Sequence, residues 1–539
     1  MKNIFLVTAA VACIGFTACK KSDFTDSYTD PSKVADPTVE RQFAGVITSY
    51  TWTNPDKGQH GYIVPQYWNY FVIMRSTVLR YTQATGWANE NNQYVPGAAS
   101  VGDYWKDYFY MLTQYRVLQN IYAKQPAIDQ QLSRIYMIAA SIFFYDQTQK
   151  MIDLYGDIPW SEAGKINENK GDYNASLAKY DDAAAIYTKM LDDLKAFSDE
   201  LNTIKVENYV QAKFAIQDLV NKGDVTLWKK YCNSLRLKML TRVSGAPAFQ
   251  SRANTEIAGI ISDPAKYAVV EANAANIKIN VYQLGSDINA KSFKAGLEGD
   301  PGWISNIAGK AMIDQMNTNG DPRLRAMFEP GANAGGVYNG LDPLLNGGTQ
   351  TSLINGGTMA IYNRSTLSRN VYFPGIIINA AEVSFLKAEY YLKASNDAQA
   401  RAAYEAGIQQ SVEYYYWLRT LSTDNTAGAL KPAGSAEINN YITGAGVNWA
   451  NATTTADKLK LIATQKWIHF SVVQPYESWA EIRRLDAPAF NYLPDAGNAQ
   501  TQPPYRWIYP TNESVYNPDN YAAVKSKDKL TTKIFWDLN

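Results

Sequence analysis

The residue types in this chain that are best suited to chemistry are aromatic rings beside amides, and several of them share one short stretch. Trp87, Asn89, Asn91 and Tyr94 occur there without hydrophobic periodicity. A flat ring can stack on the apolar face of a sugar while amides exchange hydrogen bonds with its hydroxyl groups. The stretch therefore predicts a ligand-binding site, although the same residues could instead cap a helical body.

Long stretches rich in glycine and polar residues predict loops at 82–103, 282–306, 331–360 and 419–454. Loops longer than about fifteen residues are uncommon in compact domains unless they bind something or are disordered. Trp303 and Tyr338 lie in two of these loops and are added to the predicted ligand-binding residues. Calcium could be held by loop acids and carbonyls such as those near Asp342. No EF-hand spacing is present, however, and we predict no metal or other cofactor.

Two pairs of carboxylates are the remaining candidates for catalysis: Glu477 with Glu481, and Glu382 with Glu389. A glycosidase needs two carboxylates about 5 to 9.5 Å apart across the sugar, one of them with a raised pKa. Both pairs lie in stretches with helical periodicity rather than in loops, where they could pair with arginines of neighbouring helices. We therefore predict no enzymatic activity.

The start of the chain has the pattern of a lipoprotein signal peptide. A charged start precedes an apolar run too short to span a bilayer, followed by the tetrapeptide 16–19 (FTAC). We expect removal of residues 1–18 and acylation of Cys19, for example by palmitate, which anchors a water-soluble body to a membrane. Residues 19–36 are predicted to form a flexible tether, and residues 37–539 a single domain.

Composition excludes several classes of function. The chain has 51 Lys and Arg against 51 Asp and Glu, so neither nucleic acid nor an anionic membrane surface is an expected partner. The only histidines, His60 and His469, are too few and too far apart in the sequence for a histidine-built metal site or a catalytic dyad. Because Cys13 leaves with the signal peptide and Cys19 takes lipid, Cys232 has no intrachain disulfide partner.

The elements that must position the candidate residues are mostly α-helical. Ile135, Ile138 and Ile142 follow the spacing of one helix face. The predicted helices cover 130–153, 180–197, 224–243, 380–393, 398–417 and 456–473. A turn at Asn396 and Asp397 joins two of them into a hairpin that resembles a tetratricopeptide unit. The sequence thus predicts a mostly α fold with a tetratricopeptide-like helical scaffold and long loops.

A series of short motifs, in one order along nearly the whole mature chain, resembles the SusD/RagB family. The motifs are 153–160 (DLYGDIPW), 180–182 (YDD), 191–194 (LDDL), 228–231 (WKKY), 233–242 (NSLRLKMLTR), 321–324 (DPRL), 381–389 (AEVSFLKAE), 404–408 (YEAGI), 465–467 (QKW), 477–484 (ESWAEIRR) and 509–513 (YPTNE). Each motif alone is weak, and their common order carries the resemblance. The chain looks closer to the starch-binding-associated subgroup.

The resemblance implies an outer-membrane lipoprotein, lipid-anchored and exposed at the cell surface. It would sit as a lid on a SusC-like TonB-dependent transporter and pass it oligosaccharides, or in some members oligopeptides, without catalysis. Tetratricopeptide-like helices would face the transporter, and the loops would carry the ligand site. In this family the loop before the W-x-x-Y helix, here Trp105 to Tyr108, often lines the ligand pocket, which also favours Trp87, Asn89, Asn91 and Tyr94.

Three hypotheses follow. The first is an oligosaccharide-binding subunit of an importer, which binds glycans without cleaving them. The second is an oligopeptide-binding subunit of the same kind, which would offer backbone-pairing edges to a peptide. The third is a surface hydrolase that depends on carboxylates such as Glu477 and Glu481.

Overall fold

The structure is a computed structural model that describes residues 37–53, 58–299 and 305–538. The predicted signal peptide, the lipidation site Cys19, the tether 19–36 and the candidate residue Trp303 lie outside the described residues. Within the described part, no helix combines the length and apolar character needed to cross a membrane.

The described chain is predominantly α-helical, as predicted. The α-helices are α1 (Val39–Thr51), α2 (Val78–Tyr81), α3 (Ala98–Ala123), α4 (Ala127–Tyr155), α5 (Ala183–Leu201), α6 (Asn208–Gln217), α7 (Val225–Val243), α8 (Pro247–Ser262), α9 (Phe293–Glu298), α10 (Lys310–Asn319), α11 (Leu324–Met327), α12 (Gly347–Asn355), α13 (Ala380–Lys393), α14 (Asp397–Leu421), α15 (Ser435–Ile442), α16 (Thr455–Phe470), α17 (Pro475–Leu485), α18 (Thr511–Tyr516) and α19 (Pro518–Ala522).

Strands are short and occur in antiparallel pairs. The strands are β1 (Ile158–Pro159), β2 (Tyr180–Asp181), β3 (Ile277–Ile279), β4 (Phe328–Glu329), β5 (Ile361–Tyr362) and β6 (Gly375–Ile378). β1 pairs with β2, β3 with β6, and β4 with β5. Each pair joins parts of the chain that are more than twenty residues apart.

Side-chain caps explain where the predicted helices begin. Asp224 accepts hydrogen bonds from the backbone N–H groups of Thr226 and Leu227 before α7, and Asn396 caps α14 in the same way. Gly156 ends α4 with φ of 76°, a conformation that favours glycine. The predicted helices are thus present, with ends displaced by a few residues.

The prediction of helix from residue 180 is wrong at its start. Residues Tyr180 and Asp181 form β2, and α5 begins only after Asp182, whose side chain accepts from the N–H of Ala185. The Asp181 carboxylate also accepts from the N–H of Trp160 at 2.9 Å, which holds this segment extended against β1. The predicted helix 456–473 likewise ends early, at Phe470.

Each predicted loop contains some helix. α3 begins inside 82–103, α9 lies inside 282–306, α12 inside 331–360 and α15 inside 419–454. Apart from α3, these helices are too short to show the periodic apolar stripe that predicts a helix from sequence. The loops are therefore partly ordered by short helices.

Helical hairpins form the scaffold. The pairs α3 with α4, α7 with α8, and α13 with α14 pack together, joined by connections of three residues at 124–126, 244–246 and 394–396. Beneath them, the main hydrophobic core includes residues from Val39 to Trp536, and a second cluster packs within the α13–α14 hairpin around Phe385 and Tyr404. The hairpins confirm the predicted tetratricopeptide-like architecture.

The closest approach within the α13–α14 hairpin occurs at a glycine. A Cβ atom at Gly407 would lie 2.5 Å from the Phe385 ring, whereas a Cβ at Gly259 in α8 would meet nothing within 4 Å. We expect Gly407→Ala to lower the free energy of unfolding by about 1–3 kcal/mol, because the helices must separate. The control Gly259→Ala should raise it by about 0.5–1 kcal/mol. Urea denaturation measures both, and a stabilised Gly407→Ala variant would contradict this packing.

Candidate functional site

Extended segments from distant parts of the chain meet beneath the predicted binding loops. The N–H of Gly86 donates to the Ile307 carbonyl at 2.8 Å, and the N–H of Leu341 donates to the Ala308 carbonyl at 2.9 Å. The N–H of Ala308 in turn donates to the Ala360 carbonyl at 2.9 Å. We call residues 84–87, 306–309, 339–342 and 360–362 the loop platform.

Trp87 is held at the edge of the loop platform. Its side chain is 8% exposed, and its indole Nε1 donates to Gln93 Oε1 at 2.9 Å. The Arg80 guanidinium lies 5.5 Å from the centre of the Trp87 ring and also donates to the Gln93 carbonyl at 2.9 Å. In this conformation the ring orders its own loop, and ligand contact by Trp87 stays a prediction.

Asn89 joins the first predicted loop to the third. Its side-chain amide donates to the carbonyls of Pro343 and Leu345, both at 2.7 Å, and its backbone N–H donates to Gln350 Oε1 at 2.6 Å. Gln350 also donates to the Asp342 carbonyl at 2.8 Å. The amide of Asn89 is therefore used to hold two loops together.

Tyr94 and Asn91 have contrasting positions in the same loop. Tyr94 is fully buried and donates to the Leu493 carbonyl at 2.8 Å; burial raises the pKa of its hydroxyl to about 12. Asn91 is exposed, and the N–H of the next residue, Asn92, donates to Asp495 Oδ2 at 2.6 Å. The loop is thus fixed to a segment some four hundred residues away, with the Asn91 side chain towards solvent.

Tyr338 enters the loop platform from the third predicted loop. It is half-buried, burial raises the pKa of its hydroxyl, and its carbonyl accepts from Asn317 Nδ2 at 3.1 Å. The structure therefore brings Trp87, Asn89, Asn91 and Tyr94 into one loop braced by the segment that follows Tyr338. As ligand contacts, these residues remain predictions.

Asp342, considered above as a possible calcium ligand, stabilises a turn. Asp342 Oδ1 accepts from the N–H of Leu344 at 2.8 Å, which closes a turn. Across residues 37–53, 58–299 and 305–538, no group of three or more His, Cys, Asp or Glu side chains is arranged to hold a metal ion.

Both histidines and the lone cysteine make contacts within the scaffold. His60 Nδ1 lies 2.9 Å from Asp107 Oδ2, and the ring stacks on Trp68. His469 is buried, and burial, reinforced by the charge of Arg323, lowers its pKa to about 3, so it is neutral. Cys232 is buried as well, and burial raises the pKa of its thiol to about 12.

Three of the four carboxylates considered for catalysis, Glu389, Glu477 and Glu481, lie in a buried network of charges. Arg242 donates to Glu477 at 2.6 Å and to Glu481 at 2.5 Å, and Lys238 bridges Asp146 at 2.8 Å and Glu477 at 3.2 Å. We call this network the ionic core. Its members are Asp146, Asp153, Lys238, Arg242, Glu389, Lys466, Glu477, Glu481 and Arg484.

Cations keep two of these carboxylates ionised. Arg484 donates to both oxygens of Glu389 at 2.7 Å, and Lys466 bridges Glu389 at 3.2 Å and Glu481 at 2.7 Å. Although burial opposes charge, these cations hold the pKa of Glu389 and of Glu481 well below the usual range. Such carboxylates stabilise the helix packing and have no proton to give to a sugar.

A groove that sequence reasoning did not single out lies elsewhere on the surface. It has a volume of about 530 Å³ and runs between α3, the segment 159–178 and the segment 510–517. Tyr173 and Tyr516 border it. The sequence signals near it are the motif 509–513, Pro159 of the motif 153–160 and Trp105 of the W-x-x-Y helix, and none of them pointed to Tyr173 or Tyr516.

The helical hairpins carry long loops that are hydrogen-bonded to one another. This arrangement places the protein in the class with a tetratricopeptide-like helical scaffold. The chain belongs to the SusD-like family, since the family model described as "Starch-binding associating with outer membrane" matches residues 67–510. This confirms the resemblance seen in the sequence motifs. A search of curated proteins finds no match.

Solved structures with the same fold cover almost the whole chain. An outer-membrane protein of Bacteroides vulgatus, described in connection with nutrient binding, has a TM-score of 0.70 at 18% identity, covering 93% of this chain and 100% of that one. A SusD homologue of Bacteroides fragilis has a TM-score of 0.72 at 17% identity, with coverage of 93% and 100%. A chitin-binding SusD homologue from Flavobacterium johnsoniae has a TM-score of 0.67 at 20% identity, with coverage of 93% and 99%.

The ionic core should be far more sensitive to truncation than a surface ion pair. Glu389→Ala deprives Arg484 and Lys466 of a shared partner, and we expect it to lower the free energy of unfolding by about 3–5 kcal/mol. The control is Asp192→Ala, because Asp192 is 61% exposed and its salt bridge to Arg252 should be worth no more than about 1 kcal/mol. Guanidinium denaturation compares the two, and equal losses would show that the network contributes no special stability.

Glu382 should make the free energy of unfolding fall as pH rises. Glu389 and Glu481, whose pKa values are lowered, instead contribute stability that is lost as pH falls. Burial, with the nearby charge of Glu477 and against that of Lys238, raises the pKa of Glu382 from 4.5 to about 7. The folded chain then keeps a proton that the unfolded chain loses, so the free energy of unfolding falls as pH rises between these values. Glu382→Gln should remove a fall on the order of 1–3 kcal/mol. Denaturation of both proteins at pH 5 and pH 8 tests this, and parallel pH profiles would refute it.

Proposed function

We propose that this protein is a lipid-anchored, surface-exposed outer-membrane lipoprotein that binds oligosaccharides and delivers them to a SusC-like TonB-dependent transporter, without a catalytic step. The match to the SusD-like family carries the proposal, because residues 67–510 include both the helical scaffold and the loops. The FTAC tetrapeptide ending at Cys19 supports the anchor. Residues 37–539 would form the single domain that the anchor holds.

Several contacts support a binding role over a hydrolytic one. Glu477 and Glu481 are buried and share Arg242 as a partner, away from solvent. The loop platform instead joins four distant segments into one ordered surface by backbone hydrogen bonds. An ordered surface loses less conformational entropy on binding than a mobile one, which favours capture of a ligand.

The first ligand prediction concerns Trp87. We expect wild-type protein to bind members of an oligosaccharide array. The Trp87→Ala variant should bind them about 1–3 kcal/mol less tightly, because it lacks the ring that stacks on the sugar. Affinities from isothermal titration calorimetry, with thermal melting of each variant, measure this.

Gln93→Ala is the matched control, because it removes the partner of the indole Nε1 but keeps the ring. Equal losses in the two variants would assign the effect to loop order rather than to stacking. Unchanged affinity in a folded Trp87→Ala variant would move the site elsewhere. Binding to peptides but to no glycan would replace this proposal with the oligopeptide-binding alternative.

A further inference from the structure

The groove between α3, the segment 159–178 and the segment 510–517 has the features of a carbohydrate site separate from the loop platform. We propose that it binds a neutral oligosaccharide by stacking on Tyr173 and Tyr516. This inference rests on the proposed function, since it supplies a second place on the chain where a glycan is held. None of the residues predicted from the sequence to bind ligand borders this groove.

Two exposed aromatic side chains give the groove its binding surfaces. Tyr173 is 60% exposed and Tyr516 is 61% exposed. Tyrosine can cover the apolar face of a sugar ring while its hydroxyl remains in contact with water. Trp105 and Phe109 of α3 also line the groove; Trp105 is buried and Phe109 is half-buried.

The backbone that carries these tyrosines is braced. Asn517 Nδ2 donates to the Ala178 carbonyl at 3.0 Å, which joins the two walls directly. Glu513 accepts from Trp105 Nε1 at 3.1 Å and from the Tyr180 hydroxyl at 2.8 Å, so it ties α18 to α3 and to β2. A surface held in this way loses little entropy when a ligand stacks on it.

Gly164 allows one end of the groove to form. Its φ of 77° favours glycine, and a Cβ atom there would lie 2.5 Å from the Leu112 side chain of α3. The segment 159–178 can therefore lie directly against α3. The resulting volume of about 530 Å³ is within the range of small-molecule sites.

The charges around the groove favour a neutral ligand. Lys106 Nζ lies 3.2 Å from Asp103 Oδ1 and also donates to the Gly58 carbonyl at 2.7 Å. The carboxylate of Glu513 is a second acid on the same groove. The single lysine is thus balanced by acids, and an acidic polysaccharide would meet net repulsion. The exposed amide of Asn512 offers a donor and an acceptor to hydroxyl groups.

The shape of the walls favours a sugar over an extended peptide. Peptide capture by strand addition needs a free strand edge. The walls of this groove are mainly the side of α3, the 3₁₀ turn Asn174–Ser176 and the helix α18, and the strand residue that lines it, Pro159 of β1, has no N–H to donate to a peptide. Such walls present side chains, which suits ring stacking.

The test uses the full chain with maltoheptaose and chitohexaose as probes. Tyr173→Ala and Tyr516→Ala should each weaken binding about tenfold, and the double variant more, because each removes a stacking face. Tyr173→Phe and Tyr516→Phe should retain most of the affinity. Tyr209→Ala is the matched control, since Tyr209 is 56% exposed on α6, outside the groove. All of these side chains are exposed, and thermal melting verifies folding.

A second readout maps the contact without mutation. Bound oligosaccharide should protect the rings of Tyr173 and Tyr516, but not that of Tyr209, from oxidation by hydroxyl radicals, detected by mass spectrometry. Wild-type binding that the alanine variants leave unchanged, or binding without this protection, would overturn the groove and leave the proposed function standing. No binding of either probe, or of any glycan in the array, by wild-type protein would overturn both.

Discussion

Burial of charge at the centre of the helical scaffold is the constraint on which the rest of this structure depends. Lys238 and Arg242 of α7 meet acids from α4 and α17, while Lys466 of α16 meets Glu389 of α13 and Glu481 of α17. A charge out of water is costly unless a partner compensates it within hydrogen-bond distance. Five helices from distant parts of the sequence must therefore occupy one relative arrangement, or leave a charge unpaired.

This arrangement explains the distribution of sequence motifs and of possible function. The motifs 233–242, 381–389, 465–467 and 477–484 contain most of the ionic core, so the residues that indicate the family are mainly structural. A rigid body of this kind can support binding surfaces built from irregular segments. The loop platform consists of such segments, and the groove combines them with the side of α3 and the short helix α18. Both are fixed by hydrogen bonds between residues far apart in the sequence.

The predicted site residues show that aromatic and amide side chains can either bind a ligand or order a loop. Aromatic and amide side chains near residue 90 predict sugar recognition. In the structure Trp87, Asn89 and Tyr94 each donate a side-chain hydrogen bond that orders their loop. Tyr173 and Tyr516, which carried no pattern, present open faces to solvent. The local sequence does not show whether an aromatic ring packs within the protein or is open to a ligand. The tertiary structure shows the difference through the exposed fraction of the side chain.

The sequence by itself determined the fold class, the positions of six helices and the family, because amphipathic periodicity, caps such as Asp224 and Asn396, and ordered motifs are local properties of the chain. Even there, a tertiary contact intervened, since Asp181 bonds to the segment after β1 and holds residues 180 and 181 extended rather than helical. The pairing of Glu389 with Arg484, the anchoring of Tyr94 to Leu493 and the meeting of Trp105 with Glu513 were decided only by the tertiary structure. Each joins residues separated by tens to hundreds of positions, and no local pattern records which side chains packing will bring within a few ångströms.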